Sequence, residues 1–264
     1  MSDTILYYFA VFCYGAVMGS FINAAAMRTV ADKKWWGSER SVCDSCGRIL
    51  GAWELIPIVS FLVLGGKCRS CGRAIAPRHF ICELWCGLLA MGYLYFFSVA
   101  PALVFALAMM PFLLFHTLTD LESGYIYDSW AIAMAVIGMA IRIWGGVPAL
   151  IDGAMGAALG FCFIYLIILV SRGGMGTGDA MLMLGIGAFF GWKMTIVALY
   201  EGFMLGGLVV VPLLLMKKVS RKDAVPLGPF LAGGSALAIF TAPVIFAYIG
   251  FELSWPWTWI IKSI

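Results

Sequence analysis

Apolar runs long enough to cross a bilayer recur along this chain, and nothing constrains its fold more. Inside lipid a backbone N–H or C=O finds no water, so a run of this length must close its hydrogen bonds within a helix. The runs predict an all-α polytopic membrane protein with about eight transmembrane helices, near 4–27, 80–98, 101–119, 127–145, 147–171, 179–191, 193–216 and 226–250. A mean hydropathy of +0.99 with only 12% charged residues excludes a soluble globular class. The sixth run is the shortest. "WELIPIVSFLVLG" (53–65) is apolar but holds Pro57 and is too short to span, so it is expected at the interface or as a re-entrant segment. The first thirty residues do not read as a cleavable signal, because no basic stretch precedes a long apolar one.

Charge placement sets the orientation. Nine of the 17 Lys and Arg residues fall between Arg28 and Arg78, and Lys217, Lys218, Arg221 and Lys222 follow the seventh run. Basic loops stay cytoplasmic, and eight crossings put both clusters on that side with the two termini outside. Juxtamembrane basic residues meet anionic lipid, so a nucleic-acid partner is not expected. The chain divides into 1–98, holding two spans and the large basic loop, and 99–264, holding six spans.

That loop carries an internal repeat, "CDSCGR" (43–48) and "CRSCGR" (68–73), with 21 residues between the two C-x-x-C pairs. Cys43, Cys46, Cys68 and Cys71 at this spacing fit a structural four-thiolate Zn²⁺ site, with nearby Arg48, Lys67, Arg69 and Arg73 to offset its negative charge. The alternatives are another metal, no metal, or two disulfides, the last disfavoured in a cytoplasmic loop. A loop too small for its own core would fold around such a metal. Cys13, Cys82, Cys86 and Cys162 lie in or beside spans and read as packing residues.

Two aspartates stand out against this background. Asp120 ends the third run in "FHTLTDLESGYIYD", and Asp179 opens the sixth in "GGMGTGDAML". By the topology both lie at the cytoplasmic end of their spans. Two close carboxylates share one proton, so one can activate water while the other protonates a peptide carbonyl. Gly174, Gly176 and Gly178 lack Cβ atoms and would let an extended backbone approach. The plain alternative remains open at this point: Asp179 as an N-cap and Asp120 as an interfacial residue ending its helix.

"GMGTGD" resembles the GxGD signature of membrane-embedded aspartyl proteases, and the chain resembles the bacterial type IV prepilin peptidases. The likeness runs in order through "GSFINAAAMR", the paired C-x-x-C motifs, "ELIPIVSFLVLGGKCRSCG", "DLESGYIYD", "GMGTGDAML" and "PLGPFLAGG". It implies that Asp120 and Asp179 are the catalytic pair, while Asp128 only caps the fourth span. Two positions depart from the family pattern: Tyr127 stands where Pro is common, and Met181 where Lys is common. The resemblance implies an endopeptidase of the bacterial cytoplasmic (inner) membrane, with active site and cysteine loop facing the cytoplasm. Its substrates would be prepilins or prepilin-like proteins, cut after a short basic leader. Larger family members also methylate the new N-terminus with S-adenosylmethionine, which would assign that activity to residues 1–98. Asn23, Glu54, Glu83 and Glu201 are the further candidates for substrate or methyl-transfer contacts. Acidic Glu39, Asp44, Glu54 and Glu83 could receive the basic leader.

Other polar residues admit quieter roles. Glu201 falls mid-span, where an interhelical hydrogen bond competes with a functional role. Arg142 and Asp152 can pair with each other, and His116 shares a helix face with Asp120. A proton-coupled transporter would need mid-membrane carboxylates and related halves. A cysteine-loop scaffold would not need the aspartates at all.

Overall fold

The computed structural model describes residues 2–36, 40–98, 101–171, 175–218 and 225–257. Gly174 of the glycine motif, Glu39, Arg221 and Lys222 lie outside the described residues. The described residues are helical, with no strand beyond two isolated bridges, Val42–Ile49 and Lys67–Ala74. The chain separates into two compact units, Met1–Ser98 and Val99–Ile264.

In the first unit, α1 (Ser2–Val30) packs along α3 (Pro77–Phe97). The crossing is close because glycine faces it: a Cβ on Gly15 or Gly19 would stand 2.4 Å or 2.6 Å from the carbonyl oxygens of Cys86 and Cys82. Cys82 and Cys86 are buried there as small packing residues, as expected, whereas Cys162 is exposed. Between these helices, the apolar stretch 53–65 forms a 3₁₀ turn (Ala52–Leu55) and the short helix α2 (Val59–Val63).

The second unit holds α4 (Pro101–Ser123), α5 (Asp128–Arg142), α6 (Gly146–Val170), α7 (Thr177–Phe190), α8 (Trp192–Leu215) and α9 (Gly228–Tyr248). Small residues again set the closest approaches. A Cβ on Gly156 would lie 2.4 Å from the Gly187 oxygen, and one on Gly234 would lie 2.2 Å from the Gly202 nitrogen. These contacts draw α6 onto α7 and α8 onto α9.

Among the described residues six segments are long and apolar enough to cross a membrane, which makes this a multi-pass membrane protein. The difference from eight has a physical source. α5 and α6 belong to one 43-residue apolar segment, Asp128–Val170, broken by a 3₁₀ turn at Ile143–Gly145. α7, at 14 residues, is apolar but short; such a helix is about 21 Å long against a hydrocarbon core of about 30 Å.

Arg142 closes that break. Its fully buried guanidinium donates to the carbonyl oxygens of Ala188 (2.9 Å), Phe189 (2.9 Å) and Ala149 (2.8 Å), and to Asp152 Oδ2 at 3.0 Å. Ser254 Oγ donates to the same Asp152 oxygen at 2.5 Å. The Arg142–Asp152 pairing suggested by the sequence is therefore made, and it ties α5, α6 and the end of α7 together.

Candidate active site and metal centre

Asp120 lies in the last turns of α4 and Asp179 in the first turn of α7. Both are buried, at 6% and 7% exposure, in a bundle where most surface is apolar. The two side chains are close enough for the charge of Asp120 to act on Asp179. A third element completes the arrangement. Gly228, the first residue of α9, donates its N–H to Asp120 Oδ2 at 2.8 Å. The missing side chain matters there, since a Cβ on Gly228 would stand 2.7 Å from that oxygen.

The capping alternative for Asp179 fails on geometry. α7 starts at Thr177, its N-cap is Gly176, and no side chain caps it. Asp179 is the third helical residue, and its N–H donates to the Gly176 oxygen at 3.2 Å. Asp128 also departs from expectation: it is the first residue of α5, the N-cap is Tyr127, and no side-chain cap bond is made.

The glycines have individual reasons. Gly178 faces Ile126, whose Cβ would be 2.8 Å from a Cβ at 178. This packs the turn after α4 against the start of α7, so that glycine serves internal contact. Gly176 faces the Asp179 carboxylate, with 3.7 Å to a would-be Cβ, and is the more open of the two. Tyr127 rests against Phe115 with ring centroids 6.2 Å apart. His116, one turn before Asp120, is fully buried, and neither ring nitrogen has a partner among the described residues.

Glu201 lies apart from this arrangement in the hydrogen-bond pattern. Thr241 Oγ1 of α9 donates to its Oε1 at 2.5 Å, the interhelical bond considered from sequence. Its Oε2 is buried without a partner among the described residues.

The four loop cysteines come together. Their Sγ atoms all lie within 4.8 Å of one another, and Cys43 Sγ is 4.0 Å from Cys71 Sγ. Sulfurs at tetrahedral corners around an ion with 2.3 Å bonds are about 3.8 Å apart, so the set fits a metal ion. The sequence repeat is a structural repeat. The Cys43 N–H donates to the Arg48 oxygen at 2.9 Å and the Cys68 N–H to the Arg73 oxygen at 2.8 Å. Gly47 and Gly72 each turn at φ 69, a left-handed conformation that favours glycine. The N–H groups of Cys71 and Ser70 hold the Cys68 thiol down at about 6, toward the thiolate that binds metal. Glu54 belongs to this loop: its Oε1 accepts from Arg48 at 2.5 Å, and its Oε2 accepts the Gly51 N–H at 2.8 Å. Those contacts, the Gly51 N–H first, hold its carboxyl below the ordinary value.

Asn23 and Glu83 lie in the first unit, both buried. Asn23 Nδ2 meets His79 Nδ1 at 2.8 Å, and Glu83 Oε2 accepts the Ile58 N–H at 2.7 Å. Sequence reasoning had passed over His79, Ile58, Ile126 and Gly228. A glycine–proline pair opening a span was the signal available for Gly228; the others carried none.

The fold and its polar centres thus define a multi-pass membrane protein with two buried carboxylates at helix ends and four loop cysteines positioned to hold a metal ion. The chain belongs to the type IV leader peptidase family, whose profile matches residues 107–211, with a Bacterial Peptidase A24 N-terminal domain matched at residues 13–97. It is 31% identical to a prepilin leader peptidase/N-methyltransferase of Bacillus subtilis (strain 168), over 92% of this chain and 98% of that one. It is also 29% identical to the protein of that description in Burkholderia pseudomallei (strain K96243), over 89% and 86% of the two chains. The Pseudomonas putida relative is 28% identical, over 88% and 90%. No solved structure matches the chain.

Proposed function

We propose that this chain is an intramembrane aspartyl endopeptidase that removes the short basic leader from type IV prepilins or prepilin-like proteins. The burial of Asp120 at the end of α4 and of Asp179 at the start of α7, two helices in contact in a chain of the type IV leader peptidase family, carries the reading. Two carboxylates brought close together hold one proton between them. The ionised carboxylate takes a proton from water as the water oxygen adds to the scissile carbonyl carbon. The protonated one donates to the carbonyl oxygen, and collapse of the adduct breaks the C–N bond while the leaving amine gains a proton. Gly228 fixes one oxygen of Asp120, so that the pair does not need to reorganise during reaction.

The active-site end and the cysteine loop face the cytoplasm of the bacterial inner membrane, as the basic residues from Arg28 to Arg78 favour. Cys43, Cys46, Cys68 and Cys71 hold Zn²⁺, which supplies folding energy to a loop without a core of its own. The first unit methylates the new N-terminus. The name shared by the relatives supports this, as does a buried end of the Asn23 amide without a partner among the described residues, the kind of group a ligand satisfies. S-adenosylmethionine would supply an electrophilic methyl group there.

Mass spectrometry of a prepilin incubated with the detergent-purified protein and S-adenosylmethionine tests both activities together. The expected product has lost its leader and gained one methyl group at the new N-terminus. An uncut substrate would overturn the peptidase reading, and a cut but unmodified one would overturn the methyl-transfer reading.

A further inference from the structure

The first unit holds a polar cluster that peptide cleavage does not use. Asn23 of α1 is fully buried, and its Oδ1 has no partner among the described residues. A buried amide end left in that state is rare and calls for a partner. Across from it, His79 and Glu83 lie one turn apart on the same face of α3. Glu83 is buried, and its Oε2 is held by the Ile58 N–H.

The backbone that aims this N–H is strained. Ile58 adopts φ 65 and ψ −53, and the Val59 N–H donates to the Pro57 oxygen at 2.6 Å. This is a γ-turn of the rare hand, with a β-branched residue where such residues are outliers. Strain of this kind persists where its surroundings hold it, and it gathers at functional sites. Here its product is one peptide N–H fixed on one carboxylate.

The remaining groups point to a ligand class. Glu83 Oε1 and His79 Nε2 have no partner among the described residues, and neither is among the fully buried orphan atoms. With the Asn23 carbonyl toward the ring, it accepts the Nδ1–H of His79 and Nε2 is left as a bare acceptor, while the amide NH2 takes the buried unpartnered position, where an acceptor on a bound ligand would satisfy it. Both ends of an amide have the same shape, so this orientation occupies the same space. A carboxylate and an imidazole acceptor one helical turn apart suit an ammonium group.

We propose that Asn23, His79 and Glu83 form the amine site at which a newly exposed protein N-terminus is methylated, with Glu83 holding the ammonium and His79 taking its proton. This rests on the methyl-transfer reading above. In the step, the α-ammonium gives one proton to His79 Nε2 and becomes an amine with a free pair. The nitrogen forms a bond to the methyl carbon of a sulfonium donor as the C–S bond breaks. The electron pair of that bond stays on sulfur, leaving a neutral thioether and a secondary ammonium. Asn23 is a positioning residue that fixes the His79 tautomer.

The test uses the full-length protein, with His79→Gln and Glu83→Gln, the second of which still accepts the Ile58 N–H. Methyl addition at pH 6.5 should fall by about a hundredfold in His79→Gln. It should recover near pH 9, because a free α-amine has a pKa of about 7.7–8.0 and then needs no base. Glu83→Gln should not recover. The charged groups that reach His79 are Arg78, Asp44 and Glu83, so the profile of Asp44→Asn must match wild type in this respect. Binding gives a second readout: wild type should prefer a short peptide with a free α-amine over its acetylated form, and Glu83→Gln should lose that preference. Leader cleavage should be unchanged in His79→Gln. Wild-type methyl addition in either variant at pH 6.5, no recovery of His79→Gln at high pH, or no amine preference in wild type would each overturn the proposal while the methyl-transfer reading stands. A wild-type protein that adds no methyl group overturns both.

Discussion

At the scale of residues, the site depends on contacts whose tolerances are a few tenths of an ångström. Gly228 is the sharpest case, because a methyl group there would press on Asp120 Oδ2 at 2.7 Å. Gly228→Ala should therefore lower the cleavage rate by roughly 10–100-fold with unchanged folding, read as kcat in a gel-shift assay beside a melting curve. Glu54 makes a pH prediction. Its carboxyl is held below 4.5 by the Gly51 N–H and Arg48, so the folded state binds its proton less readily than the unfolded chain does. The resulting stabilisation is complete above about 4.5 and is lost as pH falls through the lower folded value. Fluorescence of the neighbouring, exposed Trp53 should report loosening of the loop on that acid limb, and Glu54→Gln should abolish the pH dependence. The placement of Asp120 and Asp179 at helix ends is legible from sequence, since a carboxylate at the edge of an apolar run is conspicuous. Gly228 was not legible as a partner of Asp120, because the bond joins residues 108 positions apart. His79 was silent for the same reason, being 56 positions from Asn23.

At the scale of elements, hydropathy located the helices and missed how they are interrupted. The eight apolar runs correspond to α1 and α3 to α9, yet the break within Asp128–Val170 is held by side-chain chemistry that periodicity does not report. Arg142 supplies that chemistry through four backbone carbonyls and Asp152. Arg142→Ala should destabilise the second unit by about 3–5 kcal/mol, since it leaves the buried Asp152 without its counter-charge. A melting curve in detergent measures this, and unaltered melting would refute the assignment. The cysteine repeat was legible in full, because its chemistry is local: each knuckle is six residues long and closes on its own backbone. Purified protein should carry about one zinc per chain by metal analysis, as four thiolates complete one tetrahedral site. Cys46→Ser or strong chelation should remove it and expose residues 40–76 to protease. Full occupancy in the Cys46→Ser protein would show that the metal sits elsewhere.

At the scale of the whole molecule, each unit keeps its own polar centre inside an apolar shell. The second unit draws α4, α7 and α9 to one end, and the residues so gathered are Asp120, Asp179 and Gly228. A transporter would need its carboxylates deeper. The one mid-span candidate, Glu201, is bonded to Thr241 of the neighbouring helix. The central claim is that Asp120 and Asp179 act as one unit on a peptide bond. The most direct measurement compares leader cleavage by wild type, Asp120→Asn, Asp179→Asn and the double variant, each shown to be folded by its melting curve. Both single variants should lose activity by about a thousandfold or more, and the double variant should be no worse than either, as residues acting as a unit are not additive. A folded single variant that cuts at close to the wild-type rate would contradict the account.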